Sequence, residues 1–232
     1  MTVLYDNLSP YILLDLPFRE GRGTVTYDVS KYHRPITLVN TPTWTTITSG
    51  LPVLDFNGAN EYLECDDALT TELDFTTGDY SVGGWFYFET GGADDKTPIG
   101  RFLVSENGWE LYHYTNQVLT LRHHHAAGAS TRTAAYSSGW AFAKWWFMGV
   151  SRDGANAQFY RGDVDGFAAL PTVISTGGLI NPETCAQNLY IGQDTTGTNL
   201  FNGMMKGIRV WGKALTENDW MAIYLREKGW FG

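Results

Sequence analysis

The sequence predicts an all-β protein, two antiparallel sheets packed face to face with one short C-terminal helix. Three observations carry this. Short apolar or alternating segments recur roughly every dozen residues, with Gly, Asn, Asp and Pro between them. Aromatic residues make up 15% of the chain and glycines number 26, a composition that suits many strands joined by tight turns. No helical pattern of about 10–15 residues separates the strand candidates, which excludes a parallel βαβ sheet.

The first strand is read over Tyr11–Phe18, ending at the turn cluster Arg19-Glu20-Gly21-Arg22-Gly23. The β-branched stretch Ile36–Val39 follows, then a loop with Pro42 and Trp44. Leu51–Phe56 and Glu61–Cys65 flank Asn57-Gly58, a hairpin signal. Tyr80–Phe88 places Tyr80, Val82, Phe86 and Phe88 on one parity, as a strand between core and solvent requires. Pro98–Val104, Trp109–Tyr114, Gln117–His123, Trp145–Ser151, Ala157–Arg161, Leu189–Gly192 and Gly203–Val210 complete the strands. The one helix candidate is Thr216–Lys228: Thr216 can cap it, Asp219 stands three residues later, and Trp220, Ile223 and Tyr224 share a face. No repeat or linker interrupts the pattern, so one domain over 1–232 is expected.

Three segments in order resemble the laminin-G-like, concanavalin A-like jelly-roll family. They are Leu16–Gly21 with Asp28-Val29-Ser30 and Leu54–Leu63; Phe75–Phe86, containing Gly78-Asp79-Tyr80-Ser81 and Trp85; and Leu189–Gly192 through Phe201–Glu217, containing Gly207-Ile208-Arg209-Val210-Trp211 and Ala214-Leu215-Thr216. The resemblance implies a jelly-roll sandwich, acidic rim loops able to hold calcium, and a function in binding. It does not choose that function, because this fold hosts lectins, adhesion modules, hydrolases and structural proteins.

Charge bounds the partners. The net charge is −9, so nucleic acid and anionic membrane surfaces are disfavoured. No apolar run is long enough for a transmembrane helix. Cys65 and Cys185 are too few for a disulfide framework and are read as free buried thiols, although a pair is open if their strands are adjacent.

Catalysis is weighed first. Glycosidases of this fold place three carboxylates on one strand; here Glu72-Leu73-Asp74 is followed by Thr76 and Thr77, so no enzyme is expected. For calcium, Gln193-Asp194 follows a strand but continues Thr195-Thr196-Gly197, and Asp66-Asp67 and Asp94-Asp95 are further oxygen pairs. Solvated turn residues are the competing reading, since calcium takes six to eight oxygens. His123 and His125 share a strand face and could bind zinc, but exposed strand-end histidines are expected instead. Arg161-Gly162-Asp163 matches an integrin-recognition tripeptide and equally a turn. Trp44, Trp109 and Trp140, with Asn107, lie near loops and are candidates for stacking on a sugar; buried staples of loops are the alternative. The apolar tip Trp230-Phe231 is expected to dock on this chain or a neighbour.

Two functions remain. The plain Met1 start without a signal peptide and the lack of disulfides favour a virion-associated structural protein, a capsid decoration or tail component whose partners are viral structural proteins or a glycan, with homo-oligomers open. The alternative is a secreted or cell-surface carbohydrate-binding module.

Overall fold

The structure is a computed structural model that describes residues 7–89, 96–113, 118–134, 141–174 and 178–232. Among these, two antiparallel sheets form. The eight-stranded sheet runs, in spatial order, β14 (Phe167–Leu170), β13 (Asn156–Gly162), β12 (Trp145–Asp153), β7 (Tyr80–Phe88), β17 (Asn202–Trp211), β5 (Pro52–Asn57) and β4 (Thr43–Thr46). β1 (Ile12–Leu16) pairs with the second half of β17, whose first half pairs with β5. The nine-stranded sheet runs β15 (Thr172–Ile174), β11 (Gly128–Ala134), β10 (Leu119–His125), β9 (Asn107–His113), β8 (Lys96–Leu103), β16 (Leu189–Ile191), β6 (Tyr62–Cys65), β3 (Pro35–Val39) and β2 (Val25–Tyr27). This is the jelly-roll sandwich with one helix, α1 (Glu217–Glu227), near the C-terminus.

Alternation decides what lies between the sheets. Tyr80, Val82, Phe86 and Phe88 point inward from β7, as their parity predicts, and meet Leu111, Leu121, Leu63 and Ile191 from the other sheet. The intervening Trp85 points outward, where α1 packs. There Gly83 and Gly149 are register partners, and a Cβ on Gly149 would lie 2.4 Å from the Trp220 ring. The two glycines form the hollow that Trp220 fills. Thr216 caps α1 in a full capping box with Asp219. Phe231 stacks on Trp85 at 4.1 Å, so the C-terminal tip docks on this chain through Phe231.

Several expectations are corrected. β5 and β6 do not form a hairpin: β5 belongs to the eight-stranded sheet and β6 to the nine-stranded one. Asn57 Oδ1 instead accepts from the N–H groups of Ala59 and Asn60, and Glu61 accepts from Asn57 N–H, so Asn57-Gly58 turns the chain from one sheet to the other. Trp44 lies in the edge strand β4, not in a loop. Cys65 and Cys185 are free and buried, and burial pushes both thiols up, Cys65 to about 11.

Candidate functional site

On the nine-stranded sheet the residues facing away from the core fall into one row. Val25 pairs with Thr37, Thr37 with Glu64, Glu64 with Tyr190, Tyr190 with Gly100, Gly100 with Glu110, Glu110 with Arg122, and Arg122 with Thr131. The alternation that buries Leu63, Cys65, Leu189 and Ile191 is what turns Tyr62, Glu64 and Tyr190 outward.

The row has two parts. At one end Tyr62 and Tyr190 are half-buried with ring centroids 5.9 Å apart, tilted by 60°. Burial first, and then the Glu64 carboxylate, push both phenols above their usual range, while a hydrogen bond between Gln193 and Tyr62 acts the other way. Aromatic faces and a carboxylate are thus assembled within one patch, with the buried Gln193 amide bonded to Tyr62. Toward β10 the row is closed: Glu110, 1% exposed, takes Arg122, His124 and Thr97 as hydrogen-bond partners, and Phe102 stacks on His124.

This spacing argues against hydrolysis. Glu64 and Glu110 stand three strand intervals apart, about 14 Å, beyond the separation at which two carboxylates share a glycosidic bond. Glu72 and Asp74 are engaged with different arginines, Arg34 and Arg101.

Most residues singled out from sequence serve the fold. Trp109 is 1% exposed, its ring set against Phe75 and Tyr80 and its indole N–H donating to Leu73 O, so it staples the 66–79 stretch. Trp44 is half-buried and donates to Gly23 O, stapling the 17–24 loop. Asn107, half-buried, begins β9. Trp140, Asp94 and Asp95 lie outside the described residues. The four calcium candidates are not brought together. Asp66 and Asp67 follow the Cys65–Leu189 end of the β6–β16 ladder, whereas Gln193 and Asp194 lie beyond its Leu63–Ile191 end. Asp194 spends its carboxylate on five donors from Thr196, Thr198 and Asn199, and Asp67 pairs with Arg101. These residues do not fit a calcium cage, and no group of three or more His, Cys, Asp or Glu suited to a metal occurs among the described residues.

The three histidines are buried rather than exposed, because both faces of β10 are covered here. In the Arg161-Gly162-Asp163 tripeptide, Arg161 lies over Trp146, a Cβ on Gly162 would strike the Tyr224 ring, and Asp163 accepts from Asp165 and Gly166 N–H and pairs with Lys144. Each of its residues has a structural task.

Tyr62 and Tyr190 were absent from the sequence candidates. Their signal was present: alternation in Tyr62-Leu63-Glu64-Cys65 and Leu189-Tyr190-Ile191 leaves them outside once the apolar partners are placed inside. What sequence lacks is that β6 and β16 are neighbours.

A family model described as the concanavalin A-like lectin/glucanases superfamily matches residues 57–219. The chain belongs to this superfamily. No curated protein matches it in sequence. Among solved structures, the botulinum neurotoxin serotype G binding domain superposes with a TM-score of 0.71 at 14% identity, over 93% of this chain and 51% of that one. The serotype D binding domain gives 0.67 at 11% identity, over 95% and 53%. A serotype D ligand binding domain in complex with N-acetylneuraminic acid gives 0.68 at 10% identity, over 97% and 53%. The chain spans about half the length of these structures, and at such identities the likeness is one of fold. These solved structures of the same fold are toxin binding domains, not particle proteins. That corrects the expectation of a virion-located capsid decoration or tail protein with viral structural partners.

Proposed function

We propose that the chain is a non-catalytic carbohydrate-binding module of a secreted or cell-surface protein, with Tyr62, Glu64 and Tyr190 as its contact patch and the buried Gln193 amide as a hydrogen-bond partner of Tyr62. The observation that carries this reading is the pair of half-buried tyrosines flanking a carboxylate on the outward row. Sugars are held by an aromatic face under the apolar side of the ring and by polar groups on its hydroxyls. A binding domain of the same fold in complex with a sugar supports the ligand class. The charge of Glu64 and the net charge of −9 favour an uncharged sugar over one bearing a carboxylate.

A glycan array carrying neutral and sialylated sugars tests this. The expected result is binding to a neutral glycan that survives EDTA, since Asp194 and Asp67 are already engaged. Tyr190→Ala and Tyr62→Ala are each expected to weaken it tenfold or more. Binding to no glycan, or unchanged binding by the double variant, overturns the proposal.

A further inference from the structure

The outer face of the nine-stranded sheet is closed on one side of Tyr190 and open on the other. On the closed side, Gly100 is the register partner of Tyr190. A Cβ there would lie 3.0 Å from the Phe102 ring and 2.9 Å from Glu110 Cβ, so these side chains pack over β8 and end the accessible row. On the open side, Thr37 and then Val25 follow Glu64 in register; Thr37 is exposed and Val25 half-buried. Tyr27, paired with Pro35, shares this face, because Thr26 between Val25 and Tyr27 is turned inward and fully buried.

Tyr27 is 54% exposed, more than Tyr11 or Trp230. A lone exposed aromatic is ordinary; what singles out Tyr27 is where it stands. Three strand intervals separate β2 from β16, about 14 Å, and Tyr27 lies two residues along from the row, about 7 Å. The Tyr62–Tyr190 pair and Tyr27 therefore mark opposite ends of one strip. The outward positions of β2 and β3 carry no charge, so Glu64 is the charged group of the strip's outward row. The Glu64 carboxylate and the Thr37 hydroxyl lie between the two aromatic ends, where they can bond sugar hydroxyls.

The far end is held in shape from its rim. Glu20 Oε1 accepts from Tyr27 N–H and from the Thr26 hydroxyl along the free edge of β2. The Trp44 indole N–H donates to Gly23 O and fixes the chain leading into β2. A platform already ordered costs little to use in binding.

We infer that the strip takes several linked units of a linear, uncharged glycan, laid across β16, β6, β3 and β2, with Tyr27 as a second stacking platform. This rests on the carbohydrate-binding reading above and adds a length requirement to it. One sugar ring seated on the tyrosine pair does not reach Tyr27, whereas a short chain spans both. No cation on the outward positions of β2 and β3 would pair with an acidic sugar, and Glu64 would repel one.

Titration calorimetry with cello-, manno- and xylo-oligosaccharides of one to six units tests this. In at least one series the affinity is expected to rise about tenfold between two and four units. Tyr27→Ala should flatten that length dependence, while Tyr190→Ala weakens binding at every length. Tyr11→Ala, which removes another exposed tyrosine beside the eight-stranded sheet, should leave the profile unchanged. Affinity that does not grow with length, or growth that Tyr27→Ala leaves intact, overturns this inference while the contact patch stands. So does a native dimer that Tyr27→Ala converts to monomer in light scattering without altering the length profile, which gives the strip to a second copy. Binding in none of the three series also overturns it, and the glycan array then shows whether the carbohydrate reading falls with it.

Discussion

The two outer faces of the sandwich come from the same alternation and have opposite fates. On the eight-stranded sheet the outward positions of β7 and β12 carry Gly83, Trp85, Phe147 and Gly149, and the apolar face of α1 closes over them. On the nine-stranded sheet they carry Glu64 and Tyr190, which are half-buried and meet solvent, and, further along the row, Glu110, buried with Arg122 as its ion-pair partner; no helix packs there among the described residues. Pleating makes an outside; the residues on it decide whether it becomes a second core or a polar surface. Size complementarity fixes the first: a glycine pair leaves the volume of an indole ring, which Trp220 fills while its N–H donates to Ser151 Oγ. Chemistry fixes the second, because tyrosines and a carboxylate tolerate water.

That contrast can be broken most strongly on the helix side. Trp220→Ala empties the hollow and should cost roughly 3–5 kcal/mol in denaturant unfolding, while leaving glycan affinity of the folded fraction unchanged. A loss of affinity in protein shown to be folded would mean the two faces are coupled. Gly149→Ala drives a methyl group into the same ring and should cost about 1–3 kcal/mol, read from the shift in the urea midpoint. Thr216→Ala removes the helix cap and should cost about 1 kcal/mol; a negligible change would show that packing, not capping, holds α1. Smallest is the stability change for Tyr62→Ala with Tyr190→Ala, expected under about 1 kcal/mol because both rings are only half-buried. A large loss there would make the tyrosines structural and remove them from the binding patch.

The helix shows how far local signals reach. Thr216, Asp219 and the Trp220/Ile223/Tyr224 face are contiguous in the chain, and the structure shows the capping box and the buried face they announce. Asn57-Gly58 shows where such signals stop. Its turn chemistry is local, but whether the next strand pairs back or crosses to the other sheet depends on the partners of β5 and β6, which are β17 and β16, far along the chain. The tryptophans mislead for a related reason. Trp109 sits beside a turn in sequence yet inside the core in space, because Leu111 on the same parity is inside as well.

What the chain determined by itself was its layering: apolar residues at period two, punctuated by turn residues, admit little besides a two-sheet sandwich, and the closing Ile208–Trp211 segment with the capped helix follows from local rules. Which strands are neighbours was decided only in three dimensions, since pairing is a contact between distant residues that no local pattern encodes. Glu64, Tyr190 and Glu110 therefore become one row only when the sheet has assembled and given each side chain its partners.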